Sequence, residues 1–213
     1  MKSSILVVHG AWRVPQSYFK LVAALESLGF EVHIPRLPSA DNLFANFTES
    51  ILNDGKTVIA ILHSYGGHIG SNALHGLSLE TRFTEKLPSC ISDLIYVAGY
   101  SILKSTSLID KIKELDHRDL IPINFDIAEG KSCLHRYPKE VVVNPQPGKE
   151  DEMGLDDYIY AFERWDYQCM EQRSAHAAWP RDMTFELATG HCLNLIAIDD
   201  LVDVVEKVAW ART

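Results

Sequence analysis

Thr57-Val58-Ile59-Ala60-Ile61-Leu62-His63-Ser64-Tyr65-Gly66-Gly67 is the stretch whose reading decides the fold. Thr57 to Leu62 is apolar after its first residue, the pattern of a strand buried on both faces of a parallel sheet. The run stops at His63-Ser64, and Ile69, Ala73, Leu74 and Leu77 then follow at helical spacing. A serine between a buried strand and a helix sits on a tight turn. That turn lifts its hydroxyl above the sheet and aims the next backbone N–H at a reacting centre. Small residues flank such a turn because the backbone passes close to its neighbours. Gly66 and Gly67 meet that need, whereas Leu62 stands where the G-x-S-x-G pattern has its first glycine. Read for chemistry, Ser64 is a nucleophile; read for structure alone, it caps a helix.

Working outward, the same alternation of elements repeats. Ser4 to Val8 reads as a short buried strand ending at His9-Gly10. Tyr18, Leu21, Val22, Leu25 and Leu28 have helical spacing, and Gly29 is placed to end that helix. Glu31 to Pro35 is a second strand. Asp41 caps a helix whose inner face is Leu43, Phe44, Phe47 and Ile51, and Ile91 to Ala98 is a fourth strand. Strands alternating with helices predict an α/β fold: a mostly parallel sheet of about five or six strands with helices on both faces. Such sheets carry their functional loops at the carboxyl ends of the strands. From Tyr100 to about Trp179 the pattern breaks down, and a mostly helical stretch is expected from Leu155 to Ala178. Met183 to Ala188 is a last strand, followed by Thr189-Gly190-His191 and a closing helix that buries Leu201, Val204, Val205 and Val208. The expected organisation is a core of residues 1–103 and 179–213, with 104–178 as a helical lid or cap insertion.

Two further segments carry chemistry. His9-Gly10-Ala11-Trp12 follows the first strand, in a loop that this topology puts beside the serine turn. Backbone N–H groups there can complete an oxyanion hole, with Ala11 and Tyr65 as the donors. Read for structure alone, the tetrapeptide is a glycine turn with Trp12 in the core. Gly190-His191 follows the last strand, where the chain order nucleophile, acid, histidine puts the general base. Imidazole can take the serine proton near neutral pH. His9 is expected to hold the oxyanion loop, while His63 and His68 pack or hydrogen-bond beside the serine. Trp12, His9, Trp165 and Trp179 are the candidate substrate-facing residues. Tyr158 and Phe162 belong with the two lid tryptophans as pocket walls or as ordinary lid packing.

Composition bounds the partners. The chain has 213 residues and a formal net charge of -9, which argues against nucleic acid and anionic membrane surfaces. No stretch approaches the roughly 18 apolar residues of a membrane span. Lys2 is the only early charge, and the apolar run after it is too short for a secretory core. Cys90, Cys133, Cys169 and Cys192 are scattered, which suits a reducing cytoplasmic setting. Nothing has zinc-ligand spacing or the glycines of a phosphate loop, so no metal or organic cofactor is expected.

Taken together, Ile5-Leu6-Val7-Val8-His9-Gly10-Ala11-Trp12, the run Leu25 to Ser39, His63-Ser64-Tyr65-Gly66-Gly67, Ala177-Ala178-Trp179 and Gly190-His191 resemble the α/β-hydrolase superfamily. Most similar are its small fungal and bacterial hydrolases of the HGAW/HSYGG type, distant relatives of plant methylesterases and hydroxynitrile lyases. The match covers residues 4 to 103 well and 174 to 210 in part. The resemblance implies Ser64 as nucleophile, His191 as base, Ala11 and Tyr65 as oxyanion donors, and a place among enzymes of secondary metabolism. In such relatives the Ala-Ala-Trp segment is followed by a strand, an acidic loop residue and a helix before the histidine strand. Here only eleven residues separate Trp179 from His191, and the usual acid position is missing. Asp182 is the nearest carboxylate; Glu186, Asp110 and Asp166 are further candidates.

The implied activity is hydrolysis of an ester, thioester or lactone in a hydrophobic small molecule. Two alternatives stand beside it: a lyase, dehydratase or cyclase that uses His191 as acid/base, and a non-catalytic ligand-binding relative. A homodimer is also an expectation, since a lost strand exposes a sheet edge that needs cover.

Overall fold

A computed structural model describes residues 3–11, 13–37, 41–99, 125–127, 133–135, 158–162, 184–186 and 197–210. The strands are β1 (Ser4–Val8), β2 (Val32–His33), β3 (Val58–His63), β4 (Ile91–Val97), β5 (Phe125–Ile127), β6 (Cys133–His135), β7 (Tyr158–Phe162) and β8 (Thr184–Glu186). The helices are α1 (Phe19–Ser27), entered through a 3-10 turn at Pro15–Tyr18, then α2 (Asp41–Asn53), α3 (Tyr65–Ala73), α4 (Leu79–Thr84) and α5 (Ile198–Trp210).

Six strands form the main sheet in the order β2-β1-β3-β4-β7-β8. β1 pairs in parallel with β2 and β3, and β3 in parallel with β4. β7 is antiparallel to both β4 and β8, so β8 runs in the same direction as β4. The sheet is therefore parallel except for β7, as the alternation of elements predicts.

Every residue of β1, β3 and β4 is buried, and each strand feeds two cores by alternation of its side chains. Ile5, Val7, Ile59, Ile61, Ile95 and Val97 pack against α1 and α5. Leu6, Val8, Val58, Ala60, Leu62, Leu94 and Tyr96 pack against α2 and α3. One irregularity interrupts the register, between Val58 (opposite Ile91) and Ile59 (opposite Asp93). Ser92 is the extra residue, and its hydroxyl reaches both the Val58 carbonyl and the Asp93 carboxylate.

The strand order sets the place of the site. The chain leaves β1 through α1 on one face to reach β2, then returns to β3 on the other side of β1 and leaves through α3 on the opposite face. Strand order thus reverses between β1 and β3, and the crevice at their carboxyl ends is where an open α/β sheet binds its ligand.

The structure differs from the sequence reading at Tyr158–Phe162. Those residues were expected in a helix from Leu155, yet they form a strand inside the main sheet, between β4 and β8. Tyr-Ile-Tyr-Ala-Phe is rich in aromatic and β-branched residues, and pairing along both edges satisfies its backbone. β5 and β6 form a separate antiparallel pair in the segment with no legible pattern. α4 is also additional; Ser78 caps it by accepting the Thr81 N–H. Its buried Arg82 donates to the Ser89 carbonyl and to Asn53 at the end of α2.

Candidate active site

Ser64 follows β3 directly and precedes α3, with φ 55 and ψ -122. An L residue enters that region only when its surroundings force it. Two bonds hold the turn: Ser64 N–H donates to the Val97 carbonyl at 3.0 Å, and Gly67 N–H donates to the Ser64 carbonyl at 2.9 Å. The hydroxyl makes no capping bond to α3, so capping that helix is not its role. Ala98, at the end of the neighbouring strand, also has a positive φ of 44. Backbone strain is thus gathered at this edge of the sheet.

The β1 loop closes on the turn. A Cβ built on Gly10 would lie 3.2 Å from Ser64 Cβ and from His63 Nδ1, and one built on Gly66 would lie 2.1 Å from the Val8 carbonyl oxygen. Only glycine permits the second approach, and a side chain at position 10 would require His63 and Ser64 to shift by a few tenths of an ångström. Leu62, which replaces the first glycine of the pattern, is fully buried. Its space comes from α3, where a Cβ on Gly70 would lie 2.5 Å from a Leu62 methyl. The small residue has moved to the facing helix.

That exchange makes a prediction. Gly70→Ala is expected to destabilise the fold by about 1–3 kcal/mol, through overpacking against Leu62. In a Leu62→Ala background the same change becomes neutral or favourable, because alanine is the better helix former by about 1 kcal/mol. Urea denaturation of the four proteins measures the coupling, and additive effects would contradict the contact.

The family model described as "Alpha/beta hydrolase family" matches residues 5–205. The chain belongs to the alpha/beta hydrolase family. Among solved structures, this alpha/beta hydrolase is similar to tomato methylketone synthase I complexed with 2-tridecanone. The TM-score is 0.60 and the identity 14%, over 98% of this chain and 99% of that one. A variant of the same tomato enzyme with β-ketoheptanoate matches at a TM-score of 0.48 and 14% identity, over 95% of this chain and 85% of that one. No curated protein matches the chain.

Of the residues picked out from the sequence of this alpha/beta hydrolase, Ser64, Tyr65, Ala11 and His9 are brought to the one edge. Trp12, Trp165, Trp179, Asp182 and His191 lie outside the described residues. The direction of β8 is informative nonetheless: its last residue, Glu186, lies at the same edge as Ser64, one register step beyond the Val97–Ile159 pair. Tyr65 stacks on His68, with ring centroids 5.3 Å apart. Among the residues whose side chains are described, Asp93 is the one buried carboxylate. It precedes Val97 by four residues, roughly 13 Å along the strand, and so stands toward the far end of the sheet from Ser64. No group of three His, Cys, Asp or Glu side chains among the described residues could hold a metal ion.

His9 is buried, and both of its ring nitrogens face backbone. Nδ1 lies 2.9 Å from the Gly10 carbonyl, and Nε2 lies 3.3 Å from the Leu37 N–H. A carbonyl needs a donor and an N–H needs an acceptor, which fixes the neutral tautomer with the proton on Nδ1. Burial holds its pKa below the ordinary histidine range, opposed more weakly by the Gly10 bond. His9 therefore ties the β1 loop to the loop after β2 and leaves no nitrogen for a ligand.

The sign of its pH effect follows. The unfolded chain binds the His9 proton more tightly, so stability is lost as the pH falls below about 6.5 toward the folded pKa. His9→Gln is expected to flatten that part of the stability profile. His33, which burial also holds below its ordinary range, keeps part of the slope in place. Chemical denaturation between pH 5 and 8 tests this, and an unchanged slope would refute it.

The residue that sequence reasoning missed is Tyr18. Its place in the α1 pattern marked it as an apolar core position. It is buried, but its hydroxyl accepts the Gly10 N–H at 3.0 Å and lies 2.6 Å from His63 Nδ1.

Proposed function

We propose that this protein is a serine-dependent hydrolase of an ester, thioester or lactone in a hydrophobic small molecule. Ser64 attacks the carbonyl carbon and His191 takes its proton, returning it later to the leaving group. The N–H groups of Ala11 and Tyr65 hold the oxyanion that develops. The observation that carries this reading is the strained, non-capping Ser64 turn at the switch point of the sheet. The direction of β8 supports His191, which follows Glu186 by five positions. Apart from Tyr158–Phe162, which lie in the main sheet, residues 104–178 supply the apolar cap in this reading, and Trp12, Trp165 and Trp179 are its candidate walls. The 2-tridecanone held by the tomato enzyme of similar fold is an apolar chain, in keeping with such a substrate.

The acid is the weak element of the triad. Asp182 is the candidate nearest to His191 in sequence apart from Glu186. Loss of the triad aspartate costs on the order of ten-thousandfold in rate. A Ser64–His191 pair therefore suits an activated acyl group such as a thioester or aryl ester. The short spacing from Trp179 to His191 also favours a second reading, a lyase, dehydratase or cyclase with His191 as acid/base.

Labelling with a fluorophosphonate tests the choice. Native protein should be labelled and should turn over p-nitrophenyl acetate, and Ser64→Ala and His191→Ala should do neither. A folded native protein that resists the label while His191→Ala abolishes some other turnover would overturn the hydrolase reading in favour of the second.

A further inference from the structure

The two proposed oxyanion donors stand on different loops. Ala11 follows β1 and Tyr65 opens α3, and these loops leave the sheet toward opposite faces. Their separation must nevertheless be held to a few tenths of an ångström for both N–H groups to meet one oxygen. A bridge between the loops exists beneath Ser64. Gly10 N–H donates to Tyr18 Oη at 3.0 Å, and Tyr18 Oη lies 2.6 Å from Nδ1 of His63, the residue before the nucleophile. All three groups are buried. The Tyr18 oxygen accepts from Gly10 and shares a proton with His63 Nδ1, the tautomer of His63 setting which of the two donates, so one hydroxyl links both loops.

The next peptide is fixed from its other end. The Gly10 carbonyl accepts from His9 Nδ1 at 2.9 Å and from Arg13 N–H at 3.4 Å. In a trans peptide the carbonyl and the following N–H point in opposite directions. Holding the Gly10 carbonyl therefore sets the direction of the Ala11 N–H. The Gly10 N–H is spent on Tyr18, which leaves Ala11 as the first amide of this loop to face a substrate.

We propose that Tyr18 is a positioning residue for the reaction, its hydroxyl fixing the spacing between the oxyanion loop after β1 and the nucleophile turn after β3. This rests on the hydrolase reading for its catalytic consequence, though not for the bridge itself. It acts through Gly10 and His63 and touches no substrate. Interactions realised only in the transition state lower kcat and leave KM nearly unchanged when lost. A residue that merely fills the core would change stability alone.

The test is Tyr18→Phe, which keeps the ring and removes the hydroxyl. Counting active sites by fluorophosphonate carried to completion, kcat for p-nitrophenyl acetate is expected to fall about 10- to 100-fold with KM within about twofold. Inhibition by a trifluoromethyl ketone, which forms an oxyanion on Ser64, is expected to weaken by the same factor. An unchanged kcat per labelled site, even with a lower melting temperature, would overturn the proposal. If the native protein neither labels nor turns over ester, the hydrolase reading fails and amide exchange decides the bridge. Faster exchange of the Gly10 N–H in Tyr18→Phe, with α3 unchanged, supports it; identical exchange overturns it.

Discussion

Ser64→Gly is expected to abolish ester turnover and yet to be more stable than Ser64→Ala. Glycine normally costs stability relative to alanine, by about 0.5–1 kcal/mol, because the unfolded chain has more freedom to lose. At φ 55 and ψ -122 the order should reverse. An L side chain in such a region costs of order 1–3 kcal/mol, which glycine escapes. The net gain of Gly over Ala is about 1 kcal/mol, or roughly 2–4 °C in melting temperature for a chain of this size. Both variants lose the attacking hydroxyl, and kcat should fall by on the order of 10⁴–10⁶. The pair separates two roles of one residue: strain belongs to the backbone at position 64, and chemistry to the oxygen. Calorimetry and p-nitrophenyl acetate kinetics on the two variants measure both. Retained turnover in Ser64→Ala would remove Ser64 from the mechanism. Equal stability of the two variants would mean that the turn relaxes once its serine is gone.

The elements that carry Ser64 are legible in sequence because each is decided by local pattern. The mostly apolar runs Ser4–Val8, Val58–His63 and Ile91–Val97 have the 5, 6 and 7 residues of ordinary buried strands. The helix ending at Gly29 and the closing helix around Val204 and Val205 have plain 3.6-residue spacing. β7 was not legible. A strand paired on both sides reads as an unbroken apolar run, and five residues are too few to separate it from a helical turn. Only its aromatic content pointed to a strand. The Tyr18 bridge was hidden for another reason. Sequence pattern places a tyrosine ring in the core correctly but is blind to where a single hydroxyl is satisfied, since its partners Gly10 and His63 lie 8 and 45 positions away. The substitution of Leu62 for the usual glycine had the same character. It departs from the pattern locally, and Gly70 on the facing helix makes the room.

Gly66→Ala is expected to be the most damaging single-methyl change in the described fold. By helix propensity alone it should stabilise α3 by about 1 kcal/mol. The contact runs the other way. A Cβ at position 66 would stand 2.1 Å from the Val8 carbonyl oxygen, 2.8 Å from its carbon and 3.0 Å from the His9 oxygen. These are backbone atoms fixed in the sheet, whereas the contact at Gly70 is with the side chain of Leu62, which can yield at the cost of repacking. β1 is held in register by both neighbours, with Val8 opposite Leu62, and moving it breaks a buried ladder. α3 must therefore retreat, carrying with it the Tyr65 N–H and the Ser64 turn. Overpacking of side chains typically costs about 1–3 kcal/mol, and a clash between backbones should reach or exceed the top of that range. Any folded Gly66→Ala protein would hold its oxyanion donors too far apart, and a displacement of about 1 Å is enough to cost on the order of a hundredfold in kcat/KM. Urea denaturation gives the first quantity, and turnover per labelled Ser64 gives the second. Native stability together with native turnover in Gly66→Ala would mean that α3 does not lie against the end of β1, and the geometry of both proposed oxyanion donors would have to be abandoned with it.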